Sequence, residues 1–364
     1  MTGRIVLLGA TGYTGDLVLH SLLRRGIKPV LAGRNRATVQ SLADQAGGLE
    51  FAVADASDAA SLAALVGPGD VLITTVGPFE RFGYPVAEAA ATAGAHYIDS
   101  TGEVGFVREL QGRLHRIARA NGSVMLPAFG YDYVPGVLAG TLAVLEGGPA
   151  VRSIDIGYFA TGPLWRGLSQ GTRTTMRDGV TLPSARRLGG RLVEERTASR
   201  VHAFPVHGRC KNAFLVSGTE VLHLSATFPT VENISVYNGW FPALSRAAAL
   251  LSGFTAIATR IPLGRKLIDA CTRPVIGAPG GPDAAERERT RSHVVAVATG
   301  PSGPLAEVHL EGPSIYNLTG ELIAWGAEQL AAGAGRTAGV VGPIEAFGFD
   351  GLRDGCADIG LTPV

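Results

Sequence analysis

The chain has little of what staples or metallates a small protein. Its three cysteines, Cys210, Cys271 and Cys356, are scattered through 364 residues and form no CxxC or Cys/His cluster, which argues against a disulfide framework and a zinc site. No HExxH motif is present, so no metal is expected in the chemistry. "GLSQG", at Gly167 to Gly171, has the spacing of a nucleophile elbow but not the buried strand that should precede it, and serine hydrolysis is set aside. The Tyr-x-x-x-Lys pair of short-chain dehydrogenases is missing as well, because Lys28, Lys211 and Lys266 never stand four residues after a tyrosine. Neither sign of charge dominates: Lys+Arg 32 against Asp+Glu 31 leaves no bulk field for nucleic acid or an anionic membrane, and a charged ligand must be held locally. The apolar stretch "AAALLSGFTAIAT", between Arg246 and Arg260, is shorter than the roughly 20 residues of a membrane span. It reads as a buried or partner-facing helix, with lipid-surface contact as the alternative. No secretory pattern precedes "RIVLLGATG", and a reducing cytoplasm is the expected location.

What is present is ordered alternation. "RIVLLG", "KPVLAGR", "LEFAVAD", "DVLITTVG", "HYIDST" and "SVMLPAFG" are apolar runs separated by helical patterns such as "DLVLHSLLRRG" and "VRELQGRLHRIARANG". Such a pattern predicts a doubly wound parallel sheet covered on both faces. After "GYDYVPG" the texture changes to alternating strands with few helices, among them "SIDIGYFA", "VHAFPV", "SHVVAVATG" and "LAEVHLEGP", which predict a second α+β domain on a mainly antiparallel sheet. The expected division is 1–127 with about 333–364 for the first domain and 128–332 for the second, the segment "GVVGPIEAFGF" returning to the first.

"GATGYTG" lies between the first strand and the first helix. Three glycines spaced by three let the backbone turn tightly and approach a pyrophosphate, which the helix N-terminus then binds. Gly9, Thr11, Gly12, Tyr13 and Thr14 are therefore candidate cofactor contacts. Proteins specific for NAD place an acidic residue at the end of the second strand; this chain has "LAGRNR" there, with Arg34 and Arg36. A guanidinium would bind the 2′-phosphate that a carboxylate repels, so NADP(H) is the expected cofactor, read mainly by Arg34. Asp55, after the third strand, is placed near the adenine or in a plain turn, and Val76, Gly77 and Pro78 end the fourth strand where ligands rest on open α/β sheets.

Together, "GATGYTG", "LAGRNR", "TTVGPFERFGYPVAEAAATAGAHYIDSTGE" and "LPAFGYDYVPG" resemble the saccharopine dehydrogenase-like oxidoreductases, near the branch that contains trans-acting enoyl reductases. The resemblance is strong over about the first third, and "EGPSIYNLTGELIAWGAEQLAAG" is similar to that group's closing helix. It implies a Rossmann domain completed by C-terminal residues, an inserted mixed sheet, NADPH and a homodimer, and it leaves the substrate open.

Hydride chemistry also needs substrate contacts and a proton source. Tyr131 and Asp132 in "GYDYVPG" and Glu103 in "STGE" are the candidates, with an interdomain turn and a cap on the following helix as the structural alternatives. Asp99 and Thr101 are expected at the same sheet edge, and His96 is read as structural. In the second domain Arg173 and Thr174 are candidate substrate contacts, with Arg173 and Arg177 the one neat cationic pair. The leading expectation is an NADPH-dependent reductase adding hydride to a conjugated C=C or C=N bond of a largely apolar small molecule. The alternatives are a saccharopine-type amino-acid dehydrogenase and a non-catalytic NADP-binding sensor or lipid-surface protein.

Overall fold

A computed structural model describes residues 3–162, 164, 168–179, 182–258 and 280–364; Cys271, Gly167 and the Arg177 side chain lie outside them. The chain divides into two units, Met1–Val134 with Tyr316–Ile359, and Pro135–Ile315 with Gly360–Val364.

The first unit is the expected doubly wound domain. Strands β1 (Ile5–Leu8), β2 (Val30–Gly33), β3 (Phe51–Val53), β4 (Val71–Thr74), β5 (His96–Asp99) and β6 (Val124–Leu126) alternate with helices α1 (Tyr13–Arg24), α2 (Arg36–Gln45), α3 (Ala59–Ala63), α4 (Phe79–Ala93) and α5 (Val104–Ala120). All pairings are parallel, in the order β6-β5-β4-β1-β2-β3. Every residue of β1 and β4 is buried, as their unbroken apolar runs require of central strands covered on both faces. The order reverses between β1 and β4, so the crevice at their carboxyl ends is the topological switch point where ligands of such sheets bind. "GVVGPIEAFGF" does return: Gly339 and Val340 pair in parallel with Val124 and Met125 of β6.

The expected division needs two corrections. The helix Ile315–Ala331 packs on α1 and stays with the first unit. Its Glu328 takes the Arg25 guanidinium at 2.7 Å, its Glu321 accepts from Ser21 Oγ at 3.1 Å, and a Cβ on Gly320 would meet the Leu17 backbone at 3.2 Å. The last residues belong to the second unit, where Thr362 and Pro363 pair with Glu311 and Leu310.

The second unit is built on a mixed sheet of strands β7 (Ser153–Thr161), β8 (Pro183–Leu188), β9 (Arg191–Arg196), β10 (Val201–Val206), β11 (Arg209–Val216), β12 (Asn233–Asn238), β13 (Arg291–Gly300) and β14 (Gly303–Gly312). Its main path runs β10-β11-β12-β7-β13-β14, and only β12 and β7 pair in parallel. One face buries Phe159, Phe204, Val206, Leu215, Tyr237 and Val295 together. In the apolar helix Ser245–Ala258, Leu250 and Leu251 are 69% and 63% exposed, so its described part is not the buried helix of that expectation, whose partner-facing form is untouched. Among the described residues no helix is long and apolar enough to cross a membrane.

Candidate functional site

Each glycine of the opening turn has its own steric reason. Gly9 has φ +91°, and a Cβ there would meet Thr75 Oγ1 at 2.8 Å and Val76 Cγ2 at 2.9 Å. On Gly15 a Cβ would lie 2.2 Å from the Gly9 carbonyl oxygen, so only glycine lets α1 pack this close to the turn. Gly12 differs: it is exposed, and the nearest atom to a Cβ there is the Gly9 oxygen at 3.3 Å. Bare backbone therefore faces open space at the start of α1. Gly12 is also the N-cap residue, and it makes no side-chain cap hydrogen bond, which suits a helix start that binds an anion. Thr75, which the sequence reading missed, ties the turn to the end of β4 by donating to the Gly9 carbonyl at 3.2 Å.

Arg34 is exposed, held between Gly33 at the end of β2 and Asn35, whose side chain caps α2 by accepting from Thr38 N–H at 3.1 Å. Its charge helps to lower the pKa of Asp55, after the larger effect of hydrogen bonds from Ser57. Among the described residues Arg34 forms no hydrogen bond or ion pair. Arg36 begins α2 with its guanidinium 5.8 Å from the centre of the Phe51 ring. Asp55 Oδ1 accepts from both Ser57 N–H and Ser57 Oγ, at 2.9 and 2.7 Å, which is the turn role. Val76 is half-buried, and Gly77 and Pro78 are exposed at the rim beside the glycine turn.

The residues of "HYIDSTGE" form a brace. Asp99 is fully buried; its Oδ1 accepts from Thr101 and Ala128 N–H, each at 2.8 Å, and its Oδ2 from Tyr97 OH at 2.7 Å. Burial outweighs these donors and pushes the carboxyl up to about 6. Ala128 is held at φ +61°, a strained conformation for a residue with a Cβ, and the bond from its N–H to Asp99 helps fix the loop that leads to Tyr131 and Asp132. Thr101 Oγ1 accepts from Glu103 N–H at 3.0 Å. The carboxylate of Glu103 then accepts from the N–H groups of Phe79 and Glu80, at 2.9 and 2.7 Å. Glu103 was expected as a catalytic group or as a cap on its own helix. It caps α4 instead, 24 residues earlier, and so anchors the helix that begins just after Pro78.

Tyr131 is 2% exposed, and its N–H donates to Thr319 Oγ1 of the closing helix at 3.2 Å. Asp132 beside it is exposed, while the protein massed around it displaces enough solvent to push its carboxyl up to about 6. His96 Nδ1 accepts from Val124 N–H at 3.0 Å, a structural role. The closing helix supplies one more element not foreseen: the ring of Tyr316 meets that of Tyr13 edge-on, with centroids 5.2 Å apart. In the second unit Thr174 Oγ1 donates back to the Gln170 carbonyl at 2.9 Å, and Arg173 bonds to the Leu168 carbonyl. Both groups serve the local structure of helix Gln170–Gly179.

Residues 5–126 match the family described as the saccharopine dehydrogenase NADP binding domain. Over those residues the first unit is similar to saccharopine dehydrogenase-type NADP-binding domains. The trans-acting enoyl reductases of Mycobacterium ulcerans and Mycobacterium leprae are each 38% identical to the chain over 140 residues, 37% of this chain and 34% of theirs. The match thus spans about a third of the length of these relatives. Saccharopine dehydrogenase (L-Glu forming) from Saccharomyces cerevisiae superposes with a TM-score of 0.62 at 14% identity, covering 100% of this chain and 99% of that one. Homospermidine synthase from Legionella pneumophila, solved in complex with NAD, gives 0.65 at 12%, covering 100% and 91%. These two likenesses extend the shared fold to both units. The NADP-binding domain presents what a dinucleotide requires: a helix start with no side-chain cap, a glycine where a Cβ would occupy the approach, and an exposed guanidinium at the end of β2.

Proposed function

We propose that the protein is an NADPH-dependent reductase that adds hydride to a conjugated C=C bond of a largely apolar small molecule. The observation that carries this reading is Arg34, an exposed cation without a hydrogen bond or ion pair among the described residues, where NAD-specific domains place an acid. The enoyl reductases matched by the first domain favour C=C over C=N as the acceptor. Gly12, Tyr13 and Thr14 would hold the pyrophosphate, Arg34 the 2′-phosphate with Arg36 beside it, and Val76 to Pro78 would border the nicotinamide end. Bound NADPH supplies the hydride. Asp132 supplies the proton: it stands at an exposed position of the loop after β6, and a pKa near 6 leaves part of it protonated close to neutrality. Asp99 and Glu103 set the loops that border the site and touch no reactant. The homodimer implied by the resemblance belongs to the same proposal and is tested by light scattering.

The amino-acid dehydrogenase alternative needs two cationic anchors for carboxylates. Arg173 is committed to a backbone carbonyl, which weighs against it. The deciding experiment pairs a substrate panel of enones, enoyl thioesters and imines with the variant Arg34→Ala. Charge-assisted hydrogen bonds are worth about 1.5–3 kcal/mol, so the variant should lose ~10- to 100-fold in NADPH affinity with NADH affinity nearly unchanged. An unchanged ratio refutes the cofactor assignment. NADPH binding without turnover of any acceptor supports the sensor alternative.

A further inference from the structure

The second unit holds a group of side chains that the hydride chemistry does not use. His207, His293 and Glu311 place one candidate ligand atom each within 4.8 Å of one another. They come from three separate places. His293 lies on β13 directly opposite Glu311 on β14. His207 occupies the turn between β10 and β11, where its φ of +52° and the +69° of Gly208 form a left-handed pair, a position usually given to asparagine, aspartate or glycine. That turn brings the His207 ring to 4.7 Å from the His293 ring, centre to centre.

Counting hydrogens shows what the group lacks. Glu307 Oε1 meets His309 Nε2 at 2.9 Å, His309 Nδ1 meets His293 Nε2 at 3.1 Å, and His293 Nδ1 meets Glu311 Oε1 at 2.9 Å. The chain runs from carboxylate to carboxylate through two imidazoles, and each of its three contacts needs one hydrogen. Two neutral imidazoles carry one N–H each, and ionised carboxylates only accept. One positive centre is missing. If Glu307 takes the His309 Nε2–H, then His309 Nδ1 takes the His293 Nε2–H, and His293 Nδ1 aims a lone pair at the oxygen of Glu311. His293 is 1% exposed, so the group reaches inward from the surface turn to the sheet. His207 approaches the same Glu311 oxygen from the turn.

We propose that His207, His293 and Glu311 form a binding site for a divalent first-row transition metal, with Zn2+ as the best chemical match. Two imidazole nitrogens and a carboxylate oxygen are borderline donors suited to such an ion, and three protein ligands leave a position for water. The cation replaces the missing hydrogen between His293 and Glu311. His309, backed by Glu307, then orients His293 as outer carboxylate–histidine pairs orient metal ligands. The ion would fasten the β10–β11 turn to the β13–β14 pair.

The test uses the full chain, stripped with a chelator and dialysed, titrated with Zn2+ by calorimetry and with Co2+ by visible absorption. The expected result is one equivalent of Zn2+ bound at micromolar affinity or tighter, with Co2+ developing d–d bands that Zn2+ displaces. His207→Ala, on an exposed turn, and Glu311→Gln should each weaken binding at least ~100-fold. His309→Ala should weaken it ~10-fold, the range typical of outer partners. NADPH affinity should stay unchanged in all three, and circular dichroism and urea unfolding matching the wild type report that the second unit of each variant is folded. Absence of saturable binding overturns the proposal, leaving an extra proton as the missing positive centre. Stoichiometric binding that survives both His207→Ala and Glu311→Gln overturns it too, because the ligands then lie elsewhere.

Discussion

Replacing Asp99 tests whether the brace under the candidate site is structural. In Asp99→Ala three buried donors lose their acceptor: Thr101 N–H, Ala128 N–H and Tyr97 OH. Each orphaned buried donor costs about 1–3 kcal/mol, so three of them should cost roughly 3–9 kcal/mol, among the largest values for one residue. Asp99→Asn keeps an acceptor for the two N–H groups and turns its amide toward Tyr97, whose hydroxyl can accept, so its loss should be about 1 kcal/mol or less at neutral pH. Ionisation sharpens the contrast. The carboxyl is raised from 3.8 to about 6 by burial, so the folded state holds its proton more tightly than the unfolded state. Wild-type stability from this group is therefore full below pH 4 and declines as pH rises to about 6, by roughly 3 kcal/mol in total. The asparagine variant does not titrate, so its stability relative to wild type should improve by that amount between pH 4 and 7. Urea unfolding followed by fluorescence across this range, with hydrogen exchange at Ala128 as a local probe, measures both effects. An alanine variant losing less than about 1 kcal/mol, or a wild-type-to-asparagine difference independent of pH, refutes the reasoning.

Three further outcomes follow from the same geometry. Glu103→Ala should cost about 1–2 kcal/mol as the α4 N-terminus loses its cap, with Glu103→Gln about half as damaging; a 100-fold fall in kcat at unchanged stability would mean that Glu103 is chemical after all. Gly15→Ala forces a Cβ to 2.2 Å from the Gly9 oxygen, and the displaced turn should weaken NADPH binding more than tenfold by fluorescence titration, whereas unchanged affinity would show that the turn does not hold the dinucleotide. Asp132 must be protonated to act as an acid, so kcat/KM should fall as pH rises through about 6, and Asp132→Asn should be slower by ~10²–10³-fold with that pH step gone; a profile unaltered by the substitution would exclude Asp132 as donor.

The sequence by itself determined the parts of this protein whose cause is local. Uninterrupted apolar runs between amphipathic stretches specify buried parallel strands, and "GATGYTG" can be read because its glycines, its strand and its helix are adjacent in the chain. Arg34 is legible for the same reason, since the end of the second strand is a fixed address in such domains. Tertiary structure decided everything that depends on partners distant in sequence. Glu103 looked like a group facing the cleft or capping its own helix, and only the packing of α4 beside α5 revealed two N–H groups waiting for its carboxylate. The partner of the Tyr131 N–H, Thr319, comes from the closing helix almost two hundred residues later. The histidine cluster has no motif at all: His207 and Glu311 are 104 residues apart, and a hairpin turn laid against two paired strands brings them together. Local pattern follows from the chemistry of neighbouring residues, whereas the polar partners of a buried or folded-over group are set by which surfaces the whole chain presses together.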